Sequence, residues 1–380
     1  MKFVVLGGYG IIGRVVVSDL FKTCKNCEII VAGRDLKKAQ ECAGSYKSSR
    51  VKAARVDIKN INQTAKLLKD ADVAVNCVQY YFNTTIMKAC IKAKANYVDL
   101  GGLFHETKKQ LRLHLKFKKI NRLAIPGCGG TPGITNVLAS YGSSILKKIN
   151  SIEIVFAEID YTKYDKAFIL PYSFHTIVDE YEKKPAVYRN KKLIFVEPGS
   201  GIKTYDFKLF GKQKGFYTLH SELATFPSSF KDKGIKNIEF RVTFDEEFNE
   251  VIENLIELGF TSNSLIEFTG KKFKIINITS SMMDRLLPKP TTHIDDKEML
   301  RVDFNKGKLK MDAVIKSTHN VPAGTYDTGI PCSIIAQMLS ENLIKKKGVY
   351  PPERVINPVL FFKELKKRGI KVYKNQKLIN

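Results

Sequence analysis

The stretch Phe3-Val4-Val5-Leu6-Gly7-Gly8-Tyr9-Gly10-Ile11-Ile12-Gly13-Arg14-Val15-Val16-Val17 decides how this chain is read. Four apolar residues suit a short buried strand. A GxGxxG run (Gly8, Gly10, Gly13) follows at once, and Val15, Val16 and Val17 lie in the helix that it opens. Gly8 permits the tight turn, Gly10 lets the backbone approach a pyrophosphate, and Gly13 lets helix and strand pack closely. The unpaired N–H groups at the start of the helix face the phosphates. The expected dinucleotide loop is therefore Gly8, Tyr9, Gly10, Ile11, Ile12 and Gly13.

The pattern around this loop supports it. Short β-branched runs at Phe3–Leu6, Glu28–Ala32, Val51–Val56, Val73–Val78, Tyr97–Asp99 and Leu123–Ile125 alternate with helical stretches near 11–22, 36–43, 61–69, 84–94 and 106–120. Strands joined by crossover helices form a doubly wound parallel sheet, a Rossmann-type α/β domain. From about residue 150 the texture changes to alternating strands, such as 151–156 and 237–242, with a hairpin over 188–196 turning near Asn190. After residue 330 the chain turns helical, at 333–345 and 358–368, with Pro351-Pro352 between. The expected organisation is a nucleotide domain over 1–127, an inserted α+β substrate and dimerisation domain over 128–329, and helices over 330–380 returning to the first domain.

The end of the second strand sets the nucleotide. An acidic residue there would hold a ribose 2′-hydroxyl, but this chain has Gly33 followed by Arg34. A guanidinium beside a small residue suits a 2′-phosphate, so NADP is favoured, with NAD still possible. Asp35 could serve the ribose but reads more simply as a helix N-cap. Asp57, ending the third strand, is either an adenine contact or a strand-end cap. Asn76 to Tyr81, including Gln79, end the fourth strand, where the nicotinamide half should lie.

Composition bounds the rest. The chain has 380 residues and carries 63 Lys and Arg against 38 Asp and Glu, a formal net charge of +25. The lysines are dispersed rather than gathered with aromatics, so a solvated surface is favoured over a nucleic-acid face. No apolar run approaches the ~20 residues that span a bilayer. Seven cysteines, an odd number, suit a reducing compartment, and the Cys24–Cys27 CxxC has no second half for a zinc site. The expectation is a cytoplasmic protein with no metal and no membrane partner.

The glycine run also satisfies GxxGxxG, as in short-chain dehydrogenases, but the Tyr-xxx-Lys spacings of Tyr188 with Lys192 and Tyr373 with Lys377 fall in a hairpin and in the tail. A fuller match comes from three segments in order. They are Gln79-Tyr80-Tyr81-Phe82-Asn83 with Ala89-Cys90-Ile91, Tyr97-Val98-Asp99-Leu100-Gly101-Gly102, and Gly127-Cys128-Gly129-Gly130-Thr131-Pro132-Gly133-Ile134-Thr135-Asn136. Together these resemble the saccharopine dehydrogenase family, more weakly also through 218–222 and 327–372. The resemblance implies hydride transfer between NAD(P)H and a carbon–nitrogen bond of an amino-acid-derived substrate, often in a homodimer. Saccharopine reductases carry acidic residues where this chain has Thr131 and Thr135, and the loop looks more like the lysine 6-dehydrogenase side.

Within that frame Tyr80 could stand beside the nicotinamide or simply pack. Asp99 could hold a substrate amine or cap its strand. The loop Gly129–Gly133 could present N–H groups to a carboxamide or carboxylate, with Pro132 and Gly133 fixing the turn before the helix, so Gly130, Thr131, Pro132 and Gly133 are the substrate-side candidates. His220, whose ordinary pKa near ~6.5 suits proton transfer, is the candidate acid–base histidine, ahead of His175, which would share a helix face with Asp179. Arg241 could bind a carboxylate through its planar fork or be a surface arginine. Two other readings stay open: an NADP-dependent reductase of a carbonyl substrate, and a nucleotide sensor without turnover.

Overall fold

In the computed structural model the described residues are 1–166, 168–208, 210–286 and 288–380. The nucleotide half runs β1 (Lys2–Leu6), α1 (Ile11–Thr23), β2 (Glu28–Gly33), α2 (Leu36–Gly44), β3 (Val51–Arg55), α3 (Ile61–Leu67) and β4 (Val73–Asn76). A 3-10 turn (Tyr80–Phe82) leads to α4 (Asn83–Ala93), β5 (Asn96–Asp99), α5 (Phe104–Leu111), α6 (His114–Lys119) and β6 (Leu123–Ile125). All six strands are parallel, in the order β6-β5-β4-β1-β2-β3. The helix expected over 106–120 is two, α5 and α6, broken after Leu111.

The strands explain themselves. β1 is fully buried from Phe3 to Leu6, because helices cover both sheet faces. Phe3 and Val5 point into one core cluster, Val4 and Leu6 into the other.

The second half begins with α7 (Ile134–Ile145), β7 (Ser151–Asp160), α8 (Phe174–Glu182), β8 (Ala186–Arg189), β9 (Lys192–Phe195), β10 (Lys203–Phe207) and β11 (Gly211–Tyr217). It continues with α9 (Glu222–Ser229), β12 (Asn237–Thr243), α10 (Glu246–Glu257), β13 (Leu265–Phe268), β14 (Lys271–Lys274), α11 (Ile275–Leu286), β15 (Asp296–Phe304) and β16 (Leu309–Lys316). The expected hairpin is β8–β9, and Asn190 and Lys191 at its turn both have positive φ. β15 lies antiparallel between β7 and β16, in a mixed sheet whose face holding Ile152, Ile154, Leu300 and Val302 joins the core shared with the nucleotide half.

The chain then closes with α12 (Ala323–Ser340), β17 (Gly348–Val349), α13 (Pro358–Lys367), β18 (Lys371–Lys374) and β19 (Lys377–Leu378). The helix expected from 333 starts ten residues earlier and is buried along most of its length. It packs on α1, β4, β5, β15 and β16, so it joins the two halves. Arg368, from the loop after α13, pairs with buried Asp19 of α1 at 2.8 Å, and Ser333 of α12 donates to the same carboxylate at 2.7 Å. The return is not purely helical: β17 adds a seventh parallel strand beside β6, and β18 pairs with β16 in the other sheet.

Candidate active site

The phosphate loop follows from its glycines. Gly7 has φ +78, and a Cβ on Gly13 would collide with the Gly7 carbonyl oxygen, so strand, turn and helix meet only without side chains there. α1 opens directly after the turn, with Gly10 as its N-cap and no side chain capping it, which leaves the first N–H groups of the helix for an anion.

At the end of β2, the Tyr9 ring lies against Gly33 so closely that any Cβ there would strike it, and its hydroxyl accepts the Asp35 N–H at 3.2 Å. Tyr9, Arg34, Asp35, Leu36, Lys38 and Arg55 line an open cleft of about 730 Å³. Asp35 caps α2, accepting from the Lys38 N–H at 3.1 Å. Arg55 reaches the cleft because it sits opposite Gly33 in the β2–β3 register. Three cations around one spent carboxylate fit the extra phosphate of NADP, with Lys38 and Arg55 added to the expected Arg34. Asp57 is exposed and accepts the Lys59 N–H at 3.0 Å, the turn-capping arrangement.

Beyond β4, the Gln79 side chain accepts the Tyr81 hydroxyl. Tyr80 packs against Gly102 and donates its hydroxyl to Asp179 of α8, on the other half of the molecule. The Lys183 ammonium lies 2.8 Å from the same carboxylate and 3.3 Å from the Tyr80 oxygen. Burial, then the Asp179 hydrogen bond, pushes the Tyr80 phenol well above its ordinary pKa, so it remains a proton donor.

The loop Gly127–Gly133 carries the opposite wall. Asp99 holds its base: the buried carboxylate accepts the Gly101 N–H at 2.9 Å, the Gly127 N–H at 2.7 Å and the Gln110 amide at 2.5 Å. Burial raises its pKa to about 6 against the pull of these bonds. Three protein donors on one carboxylate are the strand-end-cap arrangement. Pro132 packs on Gly101 and Gly127.

Two features of this loop were not visible in the sequence. Thr131 and Thr135 both donate, at 2.7 Å, to one oxygen of Glu222, whose other oxygen meets His220 Nδ1. The carboxylate absent from the loop is thus supplied from α9. His220 stacks on Phe240, with ring centroids 3.9 Å apart. Burial would lower its pKa, but the charge and hydrogen bond of Glu222 outweigh that and raise it. His175 lies on α8, the helix that carries Asp179.

On its other side the loop meets acid. A Cβ on Gly130 would strike the carboxylate of Asp327, which rises from α12. Asp327 is electrostatically joined to Glu298 and Asp296 of β15, and Glu298 sits directly opposite Glu158 of β7. Burial first raises Asp327 to about 7, against the pull of hydrogen bonds to Glu298 and Thr328, and raises Glu158 to about 8, where neighbouring carboxylates add to the shift. Arg241 does not join this site: it is buried in β12, bonded to Glu153 at 2.5 Å, to Glu239 at 3.0 Å and to the Gly201 carbonyl at 2.8 Å, with its fork over the Tyr217 ring. Its Nε and Nη1 are thus taken by protein acceptors.

Comparison with known proteins follows the same division. Residues 3–125 match the sequence model of the saccharopine dehydrogenase NADP binding domain, and residues 129–370 that of the saccharopine dehydrogenase C-terminal domain. The chain belongs to the saccharopine dehydrogenase family. It is accordingly an NADP-binding oxidoreductase. The carboxyaminopropylagmatine dehydrogenase of Synechocystis sp. is 23% identical over 97% of this chain and 96% of its own length. The carboxynorspermidine synthase of Vibrio cholerae is 23% identical over 90% and 89%. In fold, the family member resembles saccharopine dehydrogenase (L-Glu forming) from Saccharomyces cerevisiae, with TM-score 0.74 and 15% identity over the whole of both chains. It also resembles the homospermidine synthase of Legionella pneumophila in complex with NAD, with TM-score 0.70 and 13% identity over 99% and 91%. Among the described residues, no helix is long and apolar enough to cross a membrane, and no group of three or more His, Cys, Asp or Glu is placed to hold a metal ion.

Proposed function

We propose that this member of the family reduces an imine formed between an aldehyde and an amine-bearing substrate, or oxidises the corresponding secondary amine. The observation that carries the reading is the Asp327 carboxylate against Gly130 in the loop facing the nicotinamide end. An iminium is cationic, and a buried carboxylate beside it favours the charged, electrophilic form. The names of the relatives, which form or oxidise carboxylated polyamines, point the same way, as does the replacement of Arg241 by acid as the charged lining.

NADPH, held by Gly8–Gly13 with Arg34, Lys38 and Arg55 around its 2′-phosphate, supplies the hydride when bound. The chain's residues orient and manage protons. The loop Gly129–Gly133 and the latch at Asp99 fix the wall on which the substrate lies, so that orientation rather than acid catalysis provides most of the acceleration. Tyr80 keeps its proton and acts as an orienting group, donating its hydroxyl to the Asp179 carboxylate that Lys183 also holds, while the product amine takes its proton from solvent. In the oxidative direction the ammonium proton leaves to solvent before the hydride is transferred. His220 with Glu222 holds the loop through Thr131 and Thr135.

The test is a matrix of aldehydes and amines assayed for NADPH oxidation between about pH 6 and 10, bracketing histidine and amine pKa values. Turnover that requires both an aldehyde and an amine, faster at neutral than at alkaline pH, supports the reading. Turnover with aldehyde or ketone alone would move the assignment to a carbonyl reductase.

A further inference from the structure

In the nucleotide half, six connections lead from the end of a helix to the start of a strand of the parallel sheet: 24–27, 45–50, 68–72, 94–95, 120–122 and 341–347. Because the strands are parallel, all six lie at the amino ends of the strands, and the nucleotide crevice opens at the opposite, carboxyl ends. Their content is lopsided: nine lysines and arginines stand against three acids, Asp70, Asp72 and Glu341. Each connection holds at least one cation. Lys25, Lys47, Lys69, Lys94 and Arg122 recur at steps of 22, 22, 25 and 28 residues, so side chains scattered along the sequence arrive at one end of the sheet. Lys346 precedes β17, and Lys2 opens β1. In sheet order the starts of β17, β6, β5, β4, β1, β2 and β3 therefore each have a basic side chain in or just before them. Arg122 Nε donates to the Lys94 carbonyl at 2.6 Å and the Gly348 N–H to the Arg122 carbonyl at 2.9 Å, which holds three of these turns side by side. With strands about 4.8 Å apart the row is about 30 Å long, close to one turn of a nucleic-acid duplex.

These charges are free to meet a partner. Lys25, Lys47, Lys69, Lys94 and Lys346 are exposed, and among the described residues none of them forms an ion pair; Glu28 pairs with Lys52 instead, and Asp72 accepts the Lys2 backbone N–H at 2.7 Å. A helix dipole accounts for a lysine in a last turn, but Lys25, Lys47, Lys69 and Lys346 lie beyond their helices. Between the cations stand exposed amides and hydroxyls, Asn26, Ser45, Ser49 and Asn121, donors of the kind that bind phosphodiester oxygens. Leu343 is the one large apolar side chain exposed in these connections among the described residues, too little to seat the face in a bilayer. Tyr46, their one aromatic, is half-buried against Phe21, so no ring is offered to an unpaired base. We propose that this amino-end face of the nucleotide half is a docking surface for the phosphate backbone of a double-helical nucleic acid, bound without reading its bases. Nucleic acid and NADP then occupy opposite ends of the same strands, and the surface stands apart from the amine chemistry.

The test is fluorescence anisotropy of labelled DNA and RNA duplexes with the full-length chain, between about 50 and 200 mM salt. Duplexes of unrelated sequence should bind equally within about two-fold, and for B-DNA the neutralisation of about four to seven phosphates gives a slope of log affinity on log salt between about −3.6 and −6.3. Lys69→Glu with Lys346→Glu should weaken binding about ten-fold or more and flatten the slope by about 2, one for each lost phosphate contact, while NADP⁺ affinity is unchanged. Lys25→Glu with Lys47→Glu, in the other half of the row, should do the same and serves if the first pair fails to fold. Lys212→Glu with Lys272→Glu, exposed on β11 and β14 away from this face, removes the same charge and should leave binding within about two-fold, since charges beyond a Debye length are screened. A control pair that weakens binding as much as the row pairs, polyglutamate that binds as tightly as the duplex, or a salt slope flatter than about −2 overturns the duplex surface. Binding to phosphatidylserine vesicles without binding to either duplex would assign the face to a membrane and overturn it as well.

Discussion

At the scale of single residues, the proposed contacts to the 2′-phosphate are Arg34, Lys38 and Arg55, which line one cleft. Arg34 was legible because it follows the strand end where an acid is usual. Arg55 was not, since only the parallel register of β2 and β3 brings it beside Gly33. Each guanidinium facing the phosphate is worth roughly 1.5–3 kcal/mol, so Arg34→Ala should weaken NADPH about ten-fold or more while NADH binding stays within about two-fold. Arg55→Ala should act in the same direction. Calorimetric titration showing equal loss for both nucleotides would remove the phosphate from this cleft. Glu222 was equally hidden: the loop lacks an acid, and nothing in the spacing tells that α9 delivers one to Thr131 and Thr135. Glu298 and Glu158 escaped notice for the same reason, because strand pairing across more than a hundred residues gathers them, and Asp327 reaches them from α12.

Among the elements, the alternation of strands and helices up to residue 125 was plain in the sequence because each buried strand is continuously apolar and each crossover helix has one apolar face. The return of the chain was only half legible. α12 is apolar nearly all round, which hides its start, and the two-residue β17 is too short to show a pattern. α12 is held to α1 by Asp19, Ser333 and Arg368, and this buried group gives an element-level prediction. Arg368→Ala leaves the Asp19 carboxylate buried without its partner and should cost about 3–5 kcal/mol, read as a shift of the urea midpoint at unchanged slope. A loss below about 1 kcal/mol, the range of exposed pairs, would mean that the pair is solvated. Gly13→Ala should cost nucleotide binding as well as stability, because the turn and the helix cannot both keep their places around a Cβ. Normal NADPH affinity in that variant would contradict the packing described.

For the molecule as a whole, the acidic wall makes stability depend on pH in an unusual direction. Carboxyls titrate near ~4 in an unfolded chain, while burial, aided by neighbouring acids, holds Glu158 at about 8 and Asp327 at about 7. Between those limits the folded chain binds more protons, so this contribution is complete below the unfolded pKa and is lost as pH climbs through 7 to 8. Glu222 runs the other way. Burial would raise its pKa, but His220 and the threonine hydroxyls lower it, and its contribution is lost as pH falls below the ordinary carboxylate range. The melting temperature of the free protein should therefore be highest on the acid side of neutrality and decline towards pH 8. A melting temperature that rises from pH 6 to pH 8 without ligand would contradict the raised carboxyl pKa values.

The chemistry itself is tested most directly by following the label. The chain is incubated with NADPH deuterated at the transferable position, an aldehyde and 1,4-diaminobutane, and the products are examined by mass spectrometry. Hydride transfer to a carbon–nitrogen bond should yield a secondary amine with one deuterium on the carbon that was the aldehyde carbon. Deuterium in an alcohol, with the diamine unchanged, would contradict the assignment of the site to amine chemistry.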